Sequence, residues 1–247
     1  IINADRRIAD NTIAMRGGLW RKKVFAKARG LKGRVLGVLG CGATGSALIE
    51  RAKGFGMKVI AYDPYLSDAR AESMGLSCVD TLTDLAAQCD VMSVHVALTS
   101  ETRGIVNADV LGALKPGSIF VNVSRGEVVD EEALAQVVEN KGIRAGLDVF
   151  HNEPAADGEW KPTISALDGV YGTHHIGAST QQAQEAVAGE ACRVIIEWFN
   201  TGEAPNCVNL ARQTPATHQL VVRHQDQVGV LAGVLDLLRE ASVNVQQ

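Results

Sequence analysis

The thirty residues from Arg34 to Asp63, RVLGVLGCGATGSALIERAKGFGMKVIAYD, leave this chain few folds to choose from. Val35 to Leu39 is a short apolar run with the length of a buried strand. Gly40-Cys41-Gly42-Ala43-Thr44-Gly45 follows at once, and Ser46 to Phe55 reads as a helix. A second apolar run, Met57 to Tyr62, ends on Asp63. Strand, glycine turn, helix, strand and acid in that order open a doubly wound α/β domain.

Each residue type in this unit has a physical task. Gly40 permits the tight turn, Gly42 has no side chain to hold a pyrophosphate off the backbone, and Gly45 lets helix and strand pack closely. The helix then points its unpaired amides and positive dipole end at the phosphates. Asp63, eighteen residues beyond Gly45, accepts from both hydroxyls of an adenosine ribose and repels a 2′-phosphate. NAD is therefore expected over NADP. A GxGxxG alone is common punctuation; the strand before it, the helix after it and the acid give it meaning.

A chain of 247 residues holds one large domain, or one plus a fragment. Its net charge of −4 gives no reason to expect nucleic acid or an anionic membrane as partner. Arg21-Lys22-Lys23 reads as a solvated loop. No apolar stretch approaches the ~20 residues that span a bilayer, and the start does not have the pattern of a signal peptide. Cys41, Cys78, Cys89, Cys192 and Cys207 show no paired spacing and suit a reducing, cytoplasmic setting, mostly as small buried hydrophobes. His174-His175 lacks the i, i+4 spacing of a helical metal site and has no cysteine beside it, so no metal is expected. The chain starts and stops inside apparent elements and is read as a piece of a longer protein.

Ile1 to Met15 reads as one amphipathic helix ended by Gly17-Gly18, with apolar positions that include Ile2, Ile8 and Ile13. Leu19 to Lys32, with Trp20 and Phe25, suits a dimer arm or surface loop. Further strands are expected at Leu76–Val79, Val91–Val96, Ser118–Val123, Ile143–Phe150 and Val170–Thr173. Helices are expected after Thr81, over Asn107–Leu114 and, capped by Asp130, over Glu131–Glu139. This alternation predicts a doubly wound parallel sheet, a Rossmann domain, whose ligands lie beyond the carboxyl ends of the strands. A long helix follows from Ser179 to Phe199 and is broken by Gly202 and Pro205. Beyond Thr214-Pro215 a strand (Thr217–Val222), a helix from Asp226 to Glu240 and a strand from Val243 begin a second, smaller α+β unit. The expected division is 1–177, 178–214 and 215–247.

Three of the predicted strands end in loops that carry chemistry. Asn122-Val123-Ser124-Arg125-Gly126 follows one, Asp148 to Pro154 the next, and Thr173 to Thr180 the last. A guanidinium clamps a carboxylate bidentately. An imidazole takes or gives the proton of an alcohol, and a neighbouring carboxylate orients the ring. Arg125, Glu153 and His175 thus suit hydride transfer at a hydroxyl carbon next to a carboxylate, with a nicotinamide as redox partner. His95 is read as a wall of the cofactor pocket, His151 as exposed, and Trp20, Trp160 and Trp198 as packing or interface residues.

GCGATG with Asp63, SVHVALTSETRGIVN, LKPGSIFVNVSRGEVVDEEAL, AGLDVFHNEP and HHIGAST together resemble the D-isomer-specific 2-hydroxyacid dehydrogenases, from Ile1 to Leu210. The resemblance implies Arg125 as substrate clamp, His175 as acid/base and Glu153 as its partner, acting on a small 2-hydroxy or 2-oxo acid. It also implies NAD contacts at Gly40, Gly42, Ala43, Thr44, Gly45, Asp63, His95, Val96, Thr102, Val123, Ser124, Arg125, Asp148, His175 and Gly177. Asp148 is placed near the nicotinamide carboxamide. His174 stands where the family usually has proline. The family's substrate domain, on the order of a hundred residues by domain size, precedes the first helix and is expected to be absent here, so that this stretch alone turns over poorly. HQDQVGVLAGVLDLLREASVNV resembles the start of an ACT domain, which implies a small amino acid such as serine as effector and a homodimer or homotetramer. A reductase of glyoxylate or hydroxypyruvate, and a NAD-sensing dimeric corepressor, would use the same residues.

Overall fold

In the computed structural model, which describes residues 1–207, 220, 222 and 227–243, each strand expected between Val35 and Thr173 joins one parallel sheet. The first elements are α1 (Ile2–Arg6), α2 (Ile8–Arg16), α3 (Lys22–Phe25), β1 (Val35–Leu39), α4 (Ala43–Gly54) and β2 (Lys58–Tyr62). Next come α5 (Asp68–Ser73), β3 (Ser77–Cys78), α6 (Leu82–Gln88), β4 (Val91–Val94), α7 (Ala108–Ala113) and β5 (Ile119–Asn122). Then follow α8 (Glu131–Lys141), β6 (Arg144–Leu147), β7 (Val170–Gly172), α9 (Gln181–Thr201) and α10 (Val230–Glu240). The strand order is β3-β2-β1-β4-β5-β6-β7, with every pairing parallel. The order reverses between β1 and β4, which opens a crevice at their carboxyl ends.

The central strands read as apolar runs because both of their faces are covered. All residues of β4 and β5 are buried, as is β1 after Val35. Leu85, Leu111, Leu134 and Phe120 pack in one layer, and Leu36, Val38, Ile49 and Ile119 in the other. Local caps set the helices between them. Asp130 accepts the Ala133 amide at 2.9 Å at the start of α8, and Asn107 accepts from Asp109 and Val110 at the start of α7. Thr81 caps α6 through the Asp84 amide, but the return half of a capping box is replaced by its hydroxyl donating to the Asp84 carboxylate at 2.6 Å.

The amino ends of the strands are fastened by a buried polar network. Arg34 pairs with Asp5 at 3.0 Å, with both side chains under a tenth exposed, and donates to the Asp90 carbonyl at 3.0 Å. Arg144 donates to the carbonyls of Ala4 and Asp5, and Asp90 accepts the Val35 amide at 3.0 Å. Burial pulls the Arg34 guanidinium down from its usual value, assisted by Arg29, but the carboxylates hold it in place.

That network corrects the single helix expected from Ile1 to Met15. The chain breaks at Arg7, whose φ is +52°, so that Asp5 turns inward to Arg34 while Asp10 meets Arg7 and the Tyr171 hydroxyl, each at 2.9 Å. Asn3 accepts the Ala9 amide and closes the first turn of α2. The anticipated apolar face of α2 is not buried: Ile8, Ile13 and Met15 are exposed. α5 was not legible as a helix; Ser67 caps it through the Arg70 amide.

The chain forms two compact units, Ile1–Ala183 and Gln184–Gln247. In the second, Arg193 of α9 pairs with Glu190 at 2.7 Å and Glu197 at 2.8 Å. α10 starts from Gly229, at φ +90°. The boundary at Thr214-Pro215 and most of the strand expected over Thr217–Val222 fall outside the described residues, as does the strand from Val243 after its first residue.

Candidate active site

The glycine turn sits at the head of β1 under close steric limits. A Cβ on Gly45 would lie 2.0 Å from the Gly40 carbonyl oxygen, and one on Gly40 about 3.0 Å from the His95 backbone. A Cβ on Gly42 would meet nothing within 4 Å, so that side of the turn is open. α4 has no side-chain cap at Gly42, and the amides of its first turn, including Ala43 and Thr44, are left for a ligand. Asp63 at the end of β2 accepts the Cys41 amide at 2.7 Å on one oxygen and the Tyr65 amide at 2.9 Å on the other. The carboxylate is thereby fixed beside the turn. A tight strand–helix contact, an open backbone and a fixed acid are what a dinucleotide's pyrophosphate and ribose require, so these residues fit NAD.

The far wall of the crevice is β4 and its loop. His95 is largely buried, and burial pushes it down to about 4, so the ring is neutral at physiological pH. Its Nε2 lies 2.8 Å from the Ser93 hydroxyl, and its Nδ1 has no hydrogen-bond partner among the described residues. A neutral ring suits a pocket wall better than a proton carrier. Val96 is half-buried beside it. Thr102 donates to the Ala97 carbonyl at 2.6 Å and accepts the Thr99 amide at 2.8 Å, which folds the loop after Val96.

Beyond β5, β6 and β7 the three predicted loops meet. Asn122, fully buried, was missed as a shaping residue; its amide donates to the Arg125 carbonyl at 2.8 Å and its oxygen accepts from the Ser124 amide and hydroxyl. Its position at the end of a wholly apolar strand was the available signal. Val123 and Arg125 are exposed. Gly126 is buried against the next loop, where a Cβ would fall 2.1 Å from the Phe150 carbonyl oxygen.

Glu153 bridges the remaining two loops. One oxygen accepts the Phe150 amide at 2.8 Å, and the other lies 2.8 Å from Nδ1 of His175. His175 adopts a left-handed backbone, φ +53°, unusual for a residue with a side chain. Asp148 holds that turn: its Oδ1 accepts the Thr173 hydroxyl at 2.6 Å and the Ile176 amide at 3.0 Å, and its Oδ2 the Gly177 amide at 2.8 Å. Burial would raise the Asp148 carboxyl, but these three donors and the nearby His175 outweigh it and keep the group below its usual value. His174 is exposed next to His175. His151, anticipated in solvent, is instead half-buried with its ring bonded to the backbone of the Arg125 loop. Among the described residues no cluster of metal-ligating side chains occurs, and no helix is long and apolar enough to cross a membrane.

Residues 1–177 match the model of the D-isomer specific 2-hydroxyacid dehydrogenase, NAD binding domain. The D-3-phosphoglycerate dehydrogenase of Methanocaldococcus jannaschii is 41% identical over 212 residues, 85% of this chain and 39% of that protein. Its counterpart in Mycobacterium tuberculosis is 37% identical over 252 residues, 100% of this chain and 46% of that protein. The hydroxypyruvate reductase of Thermotoga maritima is 43% identical over 194 residues, 78% of this chain and 61% of that protein. Among solved structures, a glyoxylate reductase from Paecilomyes thermophila superposes with a TM-score of 0.73 at 30% identity, covering 82% of this chain and 60% of that one. The chain thus spans less than half the length of the two phosphoglycerate dehydrogenases.

Proposed function

The chain belongs to the D-isomer-specific 2-hydroxyacid dehydrogenase family, and we propose that the protein carrying it oxidises D-3-phosphoglycerate to 3-phosphohydroxypyruvate with NAD, the entry to serine synthesis. The observation that carries the reading is the 2.8 Å contact of His175 with a carboxylate anchored to the Phe150 amide, at the carboxyl end of the sheet that also bears Arg125. In the oxidative direction the Arg125 guanidinium grips the substrate carboxylate in two parallel hydrogen bonds. His175 presents Nε2 to the hydroxyl and takes its proton, while Glu153 accepts from Nδ1 and stabilises the imidazolium. NAD supplies the hydride acceptor. Loss of one proton and one hydride leaves the ketone.

The choice of phosphoglycerate is supported by relatives of that name that align with 85% and 100% of the chain. The tail that resembles an ACT domain adds an amino-acid effector, serine, and a homodimer or homotetramer to the reading. Hydroxypyruvate reduction is the second reading, favoured by the 43% identity to the Thermotoga enzyme. NADH oxidation by the full-length protein with 3-phosphohydroxypyruvate, hydroxypyruvate and glyoxylate separates them. Preference for the phosphorylated acid is expected; preference for hydroxypyruvate would replace the first reading by the second.

A further inference from the structure

We propose that His151 is a positioning residue that locks the Arg125 turn to the Glu153–His175 pair. The inference rests on the reading of Arg125 as the substrate clamp. The His151 ring reaches back to the loop after β5: its Nε2 lies 3.0 Å from the Gly126 carbonyl and 2.9 Å from the Val129 carbonyl. Carbonyls only accept, so Nε2 carries the proton and donates to both. These two carbonyls bracket the short 3-10 turn Gly126–Val128 that follows Arg125. The backbone of the same residue is pinned from the other side, where its amide donates to the Glu131 carboxylate at 2.9 Å.

The lock stands two residues before Glu153 and directly after Phe150, whose carbonyl abuts the bare Cα of Gly126. The two loops are therefore in van der Waals contact at one residue and hydrogen-bonded through a side chain at the next. The spacing between the Arg125 backbone and the acid/base ring is set at this junction, since His175 is itself tied to Glu153. A bidentate clamp and a proton acceptor must address two atoms of one small substrate at once, and a misplacement of about 1 Å costs on the order of a hundredfold in rate.

The test compares the full-length wild type with His151→Phe, which keeps a ring but loses the donor, and His151→Gln, whose amide nitrogen can stand where Nε2 stood. Hydrogen exchange of the Arg125–Asp130 amides, NADH binding, and kcat and KM for the best 2-oxo acid are read in each. His151→Phe is expected to speed exchange in that segment and to lower kcat/KM about ten- to hundredfold, with KM raised and NADH binding within twofold of wild type. His151→Gln should restore both readouts. Unchanged kcat/KM in His151→Phe, or equal loss in His151→Gln, overturns the positioning role. Exchange as slow as wild type in His151→Phe overturns the lock itself. Silence of the wild type toward every 2-oxo acid would instead overturn the reading of Arg125.

Discussion

Nδ1 of His175 lies 2.8 Å from one oxygen of Glu153, while the other oxygen of that carboxylate accepts the Phe150 amide at the same distance. The carboxylate is thus spent at both ends, once on the backbone and once on the ring. Among the described residues the imidazole is held through Nδ1 alone, which fixes its orientation and leaves Nε2 for a substrate.

Replacing His175 by Asn should lower kcat of the full-length enzyme by about 10²–10⁴ and leave NADH affinity close to wild type. Glu153→Ala should lower kcat by less, because the base remains but its orientation is lost. Steady-state kinetics beside NADH titration checks both. A His175→Asn protein that retains wild-type kcat would remove His175 from the mechanism.

The proposed task of the fixed Asp63 carboxylate, to accept the ribose hydroxyls, predicts a choice of dinucleotide. Asp63→Ser should weaken NADH about tenfold, the loss of one charged hydrogen-bonding group, and improve NADPH binding by lifting the repulsion of a 2′-phosphate. Arg70, which approaches the Cys41 carbonyl at 3.5 Å from α5, is the nearby cation that such a phosphate would meet. Fluorescence titration with both cofactors gives the ratio; an unchanged ratio would refute the role of the acid.

His95 makes stability depend on pH. Its pKa falls from 6.5 to about 4 on folding through burial, so between those values the unfolded chain holds a proton that the native chain does not. The contribution is complete above pH 6.5 and is lost as pH falls toward 4, an effect on the order of 1–3 kcal/mol for a partly buried ring. Relative to His95→Gln, the urea midpoint of wild type should rise as pH goes from about 4 to 6.5 and keep a constant difference above that. Parallel curves across the whole range would contradict the burial argument.

Gly45→Ala places a carbon where the Gly40 carbonyl oxygen already lies, 2.0 Å away, and backbone rather than a flexible side chain has to move. Thermal unfolding should shift downward by several degrees, in line with a loss of about 2 kcal/mol or more, and NADH binding should weaken at least tenfold. A variant with wild-type Tm and affinity would show that the turn yields freely.

The sheet was legible because its central strands are covered on both faces and so read as apolar runs such as VLGVL and IFV. The pairing of Glu153 with His175 was anticipated from two loops at strand ends, and the structure brings those side chains together. Other features were not legible because distant partners decide them. The break at Arg7 follows from Asp5 reaching Arg34, twenty-nine residues away, and local helical periodicity carries no trace of it. α5 reads DARAES, with too few apolar residues to show a face. His151 has the look of a solvated loop residue until Gly126 and Val129 turn two carbonyls toward it. Asp148 was expected at the nicotinamide carboxamide; in the structure its two oxygens hold the His175 turn, a duty set by backbone geometry that residue identity does not announce.

The ionic fastening of Asp5, Arg34, Asp90 and Arg144 lies at the amino ends of the strands, and the glycine turn, Arg125, Glu153 and His175 lie beyond the carboxyl ends. The two regions share no side chain, so their mutational effects should sum rather than interact. A designer could therefore rework the mouth of the crevice for a different acid and recover lost robustness at its base, as two separate problems.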